Sequence, residues 1–93
     1  MNIKKVGVVG AGMMGAEIAL CFASGGYEVV MSDATLELAM KGKTRQASVL
    51  DKSISKGKFN AAEKEPALNR VLATDKLADM ANCDLIIEAV VED

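Results

Sequence analysis

The stretch Gly10-Ala11-Gly12-Met13-Met14-Gly15 constrains this chain more than any other. Its three glycines interrupt a run that is otherwise apolar. Before them stand Val6 to Val9, short and β-branched, which read as a buried strand. After them, Met13 to Ser24 are nearly all small or apolar, with Glu17 and Ser24 the main exceptions. That composition predicts a helix buried on most of its surface. Gly10 permits a tight strand-to-helix turn. Gly12 lets a ligand come close to bare backbone, and Gly15 lets the helix pack tightly on the sheet. The N–H groups of Ala11, Gly12, Met13 and Met14, at the positive end of the helix, would then face an anion.

Context turns the glycines into a specific expectation. Gly25-Gly26 should stop the helix, and Tyr27 to Ser32 form a second strand ending at Asp33. That acid lies 18 residues after Gly15. A strand, a glycine turn, a helix and an acid at the end of the next strand make up the dinucleotide-binding fingerprint. The Asp33 carboxylate can accept hydrogen bonds from adenosine ribose hydroxyls and would repel a 2′-phosphate. No arginine follows it in Ala34, Thr35 or Leu36. The expected cofactor is therefore NAD rather than NADP, although FAD shares the glycine pattern. Asp33 could also serve as a helix cap. Met13 and Met14 read as core and cofactor-lining filler, and Glu17 as structural or solvent-facing.

Thr35 is placed to cap a long helix, with Leu36, Met40, Ala47, Leu50 and Ile54 recurring at helical spacing and Gly57 ending it. Asn60-Ala61-Ala62-Glu63 has the form of a capping box, so another helix begins there. Pro66 falls inside it and should kink or shorten it. Val71 to Ala73 read as a third strand, Thr74 or Asp75 as the cap of a short helix through Ala81, and Asp84 to Val90 as a fourth strand. This alternation predicts an α/β fold: a partial Rossmann-type, doubly wound parallel sheet of about four strands. A long helical pair would join strands 2 and 3. In the strand order 3-2-1-4-5-6 the cofactor crevice lies between strands 1 and 4.

Composition removes several alternatives. At 93 residues, 51% of them apolar, the chain is one small domain or a piece of a larger one. A net charge of −2 and only three aromatics (Phe22, Tyr27, Phe59) offer nucleic acid neither a field nor a stacking platform. Histidine is absent, which argues against a metal site and removes the commonest general base. Cys21 and Cys83 lie in apolar surroundings and read as buried, reduced thiols of a cytosolic protein. No stretch reaches the roughly 18 apolar residues of a membrane span, and the first residues do not have the form of a signal peptide.

Read together, "GAGMMGAEIA", "DKSISKGKF" and "CDLIIEAVVED" resemble the NAD-binding domain of L-3-hydroxyacyl-CoA dehydrogenases over essentially the whole chain. The resemblance implies oxidation of a 3-hydroxyacyl-CoA to the 3-ketoacyl form with NAD. It places Ala89, Val90 and Glu92 against the cofactor, and Lys56 against the phosphates of coenzyme A. Six basic residues against one acid between 41 and 58 agree with that last contact, although a solvated helix face explains them too. The family's catalytic base, its partner glutamate, and the serine and asparagine that hold substrate have no counterpart here, so no catalytic residue is assigned. The expected domain is thus 1–93, the N-terminal part of the cofactor domain, without the later strands or the helical substrate domain. Alone it should bind NAD weakly, catalyse nothing, and self-associate through the exposed edge of strand 4. The similarity leans slightly towards the multifunctional β-oxidation subunits. Another β-hydroxyacid dehydrogenase and a non-catalytic dinucleotide sensor are the alternatives. The expected location is the cytoplasm, with an organelle matrix left open.

Overall fold

The computed structural model describes residues 3–89. Four strands form one sheet: β1 (Lys5–Val9), β2 (Glu28–Ser32), β3 (Val71–Thr74) and β4 (Leu85–Glu88). Every pairing is parallel and the order is β3-β2-β1-β4. Val8 lies opposite Met31 on one side and Ile87 on the other, so β1 is the central strand that both neighbours read. Its Val6 and Val8 are fully buried. Burial of a side chain of this size contributes about 1.5–3 kcal/mol.

Three α-helices connect the strands: α1 (Met13–Ser24), α2 (Leu36–Ser55) and α3 (Lys64–Asn69). Short 3-10 turns at Ala61–Glu63 and Leu77–Met80 complete the path. The expected α/β order therefore holds, including the long helical pair between β2 and β3.

The caps account for where the helices begin. The Thr35 hydroxyl accepts a hydrogen bond from the Leu38 N–H at 3.1 Å and starts α2. The Asn60 side chain accepts from the Ala62 N–H at 2.9 Å. Pro66 is accommodated by splitting the expected helix. A 3-10 turn comes first and α3 restarts at Lys64, which puts Pro66 in a first turn where its missing N–H has no intrahelical partner to lose.

Packing departs from the sequence reading at several positions. Helix α1 buries only the face of Gly15, Ala16, Ala19, Leu20 and Ala23. Cys21 is on its outer side, exposed rather than buried, while Cys83 is half-buried and burial pushes its thiol up from the usual range. Met13 and Met14 are also exposed, so neither belongs to the core.

On α2 the buried residues are Ala39, Gly42, Gln46 and Leu50. Leu36 and Met40, expected inside, are about half exposed. The reason is close approach. A β-carbon on Gly42 would lie 2.7 Å from the Met31 side chain and 3.0 Å from Ala11, so only the small-residue face of α2 can sit this near the sheet. Gln46, 1% exposed, replaces an apolar contact with a hydrogen bond from its Nε2 to the Ala16 carbonyl at 2.9 Å.

Candidate cofactor site

The glycine turn sits where β1 ends and α1 begins. Gly10 has φ 107°, a left-handed value that disfavours any side chain. Its N–H donates to the Ser32 carbonyl at 2.7 Å, which draws the turn against the end of β2. A β-carbon on Gly15 would overlap the Gly10 carbonyl and stand 3.5 Å from Ala89 Cβ. Gly15 therefore allows the first turn of α1 to rest on β1 and on the residue after β4. The Ala89 N–H donates to the Val9 carbonyl at 2.8 Å, and its side chain is buried against this turn.

Gly12 behaves differently. It is the N-cap of α1, and no side chain caps the helix there. A methyl group built on Gly12 would meet no atom of the described residues within 4 Å. The space in front of Gly12 is open, and the first-turn N–H groups of Gly12, Met13 and Met14 have no carbonyl within the helix to bond. Open space, uncapped amides and the positive end of a 12-residue helix fit a diphosphate. Met13 and Met14, both exposed, are the first two residues of α1, directly after Gly12.

Asp33 closes the other side. Its Oδ2 accepts the Ala11 N–H at 2.9 Å and its Oδ1 accepts the Ala34 N–H at 2.7 Å. The Ala11 N–H, expected to face an anion, is thus bonded to protein. The carboxylate that the sequence assigned to ribose also holds the glycine turn. An ionised carboxylate offers about four acceptor sites, so two remain for sugar hydroxyls.

Two further α2 residues reach this region, and the fingerprint does not announce them. Arg45 Nη1 donates to the Ala11 carbonyl at 3.0 Å. Gln46 bonds Ala16, as described. Lys43, expected in a basic face, turns its ammonium onto the carbonyls of Leu68 and Val71, the latter at 2.7 Å, and burial pulls its pKa down. Two of the six basic residues of this segment are therefore spent on backbone carbonyls. Lys56 caps the far end of α2 and is exposed. It stands eleven residues beyond Arg45, about 16 Å along the helix axis. The structure brings Gly10, Ala11, Gly12, Met13, Met14, Gly15, Asp33 and Ala89 together and leaves Lys56 apart. Val90 and Glu92 lie outside the described residues.

Comparison with known proteins decides the lineage. The sequence model of the family described as 3-hydroxyacyl-CoA dehydrogenase, NAD binding domain, matches residues 5–93. The chain belongs to the 3-hydroxyacyl-CoA dehydrogenase family, as an NAD-binding domain. Among its relatives is a 3-hydroxybutyryl-CoA dehydrogenase of Bradyrhizobium diazoefficiens, 42% identical over 90 residues, or 97% of this chain and 31% of that protein. The fatty acid oxidation complex subunit alpha of Pseudomonas entomophila is 35% identical over 91 residues, 98% of this chain and 13% of the subunit. The crystal structure of (S)-3-hydroxybutyryl-CoA dehydrogenase PaaH1 from Ralstonia eutropha superposes with a TM-score of 0.93 at 40% identity, covering 99% of this chain and 32% of that one. The chain spans about a third of the length of the dehydrogenases it matches.

Within this NAD-binding domain, the glycine turn lies between β1 and α1 and Asp33 directly follows β2. No group of histidine, cysteine, aspartate or glutamate among the described residues could hold a metal ion. No helix among them is long and apolar enough to cross a membrane.

Proposed function

We propose that the chain is the cofactor-binding part of an NAD-dependent 3-hydroxyacyl-CoA dehydrogenase that requires further chain for turnover. The observation that carries this reading is the open space before Gly12, with uncapped amides behind it and Asp33 beside it. Bound there, NAD would accept hydride from the hydroxyl-bearing carbon of a 3-hydroxyacyl thioester. This chain's own residues bind and orient. Gly12, Met13 and Met14 offer N–H donors to the diphosphate; Gly10 and Gly15 shape the turn; Asp33 takes the ribose hydroxyls and discourages a 2′-phosphate. Ala89 supports the turn, and Val90 and Glu92 are assigned to the cofactor by the family resemblance. Lys56 is assigned to the phosphates of coenzyme A, a role that its exposure at the C-terminal end of α2 supports.

No residue of this chain is assigned as the base. Histidine is absent, and the carboxylate nearest the turn, Asp33, already accepts two amide hydrogens. The higher identity to 3-hydroxybutyryl-CoA dehydrogenases, 42% against 35% for the fatty acid oxidation subunit, favours a short-chain substrate and a monofunctional protein over the multifunctional type towards which the sequence leaned. A cytoplasmic or organelle-matrix setting suits this chemistry.

Titration of the chain with NADH, followed by the change in nicotinamide fluorescence and by competition with NAD and NADPH, tests the reading. NADH binding that NAD displaces and NADPH does not is expected, with no reduction of acetoacetyl-CoA by the chain alone. Preference for NADPH, or steady-state turnover, would contradict it.

A further inference from the structure

Ala11 is held from three directions. Its N–H donates to Asp33 Oδ2 at 2.9 Å. Its side chain is fully buried, facing the Gly42 position of α2, where an added β-carbon would stand 3.0 Å away. Its carbonyl accepts from Arg45 Nη1 at 3.0 Å. The first hold belongs to the fingerprint. The third comes from an exposed arginine in the middle of α2, outside any recognised motif. Among the described residues no carboxylate pairs with this arginine, so its charge is directed at the turn.

The Ala11–Gly12 peptide bond is trans. In a trans peptide the carbonyl and the following N–H point in opposite directions. A guanidinium fixed on the Ala11 carbonyl therefore fixes the Gly12 N–H pointing away from α2. A charge-assisted bond to the carbonyl also polarises that peptide, which makes its N–H a stronger donor. Gly12 is the residue with open space before it. The inference rests on the cofactor reading above and assigns a residue to it: we propose that Arg45 is a positioning residue for the cofactor diphosphate, acting through the Ala11–Gly12 peptide. The same contact ties the turn to α2, the helix whose far end carries Lys56.

The test compares the chain with Arg45→Met and Arg45→Lys. Calorimetric titration with ADP and with adenosine separates diphosphate binding from binding of the nucleoside. Arg45→Met is expected to weaken ADP about 5- to 10-fold and adenosine less than twofold, with Arg45→Lys recovering part of the loss. The Gly12 amide resonance in the nucleotide-free protein supplies a second readout, expected to move upfield in Arg45→Met and to return partway in Arg45→Lys. Equal losses for ADP and adenosine would reduce Arg45 to a structural role and overturn the inference. So would unchanged ADP affinity, or an unmoved Gly12 resonance. If the unaltered chain bound neither ADP nor NAD, the cofactor reading would fall and this inference with it. Normal binding by the unaltered chain and by both variants would remove the inference alone.

Discussion

The Asp33 carboxylate accepts the Ala11 N–H at 2.9 Å, joining the acid at the end of β2 to the glycine turn at the end of β1. Two parts of one fingerprint, 22 residues apart, are therefore bonded to each other before any ligand is considered. The carboxylate both shapes the turn and flanks the opening.

Substituting Asp33 should thus cost affinity in two ways. Asp33→Ala removes the acceptor proposed for the ribose and frees the Ala11 amide. A hydrogen bond to a charged group is worth about 1.5–3 kcal/mol, so NAD binding is expected to fall roughly 10- to 100-fold. NADPH should lose less, because the repulsion of its 2′-phosphate disappears. Parallel titration with both nucleotides reads the change in preference.

Gly15→Ala should damage the fold itself. The added methyl would overlap the Gly10 carbonyl, which is backbone and cannot step aside without shifting α1 from β1. Overpacking of this kind costs about 1–3 kcal/mol or more, a large share of the stability of a 93-residue chain. Urea unfolding should show a lower midpoint.

The course of the chain and the location of the turn could be read from sequence because both rest on local rules. Alternation of β-branched runs with helical spacing, and glycine where a side chain cannot fit, are visible residue by residue. The face of α2 was not legible. Apolar periodicity pointed to Leu36 and Met40, whereas the packed face is Ala39, Gly42 and Gln46, chosen by how near the helix can come to Met31 and Ala11. Arg45 and Lys43 looked like a solvated basic run, because nothing in sequence marks a cation that will meet a carbonyl 28 or 34 positions away. The Ala11 amide was assigned to an anion for the same reason: its partner is set by the tertiary fold.

Asp84 gives the fold a dependence on acid. Its Oδ2 accepts the N–H groups of Lys4 and Lys5 at 2.8 and 3.0 Å, fastening the start of β1 beside β4. These two backbone bonds hold its carboxyl below the usual range of about 3.9. A carboxyl with a depressed folded pKa stabilises the protein above its unfolded value, and that contribution is lost as pH falls through the folded value. Melting temperatures of the chain and of Asp84→Asn should therefore differ at pH 6 and converge as the pH drops below about 4.

Strand β4 is one of the two outer strands of the described sheet, next to β1 only, and Ile86 on it is 52% exposed. An unpaired edge with an apolar side chain invites pairing with a second copy. Sedimentation velocity should show concentration-dependent association that Ile86→Lys reduces.

The central claim is that bare backbone at Gly12 receives the diphosphate. Gly12 has φ −67° and ψ −170°, a conformation open to alanine, and an added methyl meets no described atom. Gly12→Ala should therefore cost only about 0.5–1 kcal/mol, the penalty of alanine at an N-cap, a melting shift of a few degrees, while filling the space the phosphates need. Calorimetric titration of NAD into both proteins is the direct measurement. The account predicts binding by the unaltered chain and at least a tenfold loss in Gly12→Ala. Equal affinity in the two proteins would contradict it.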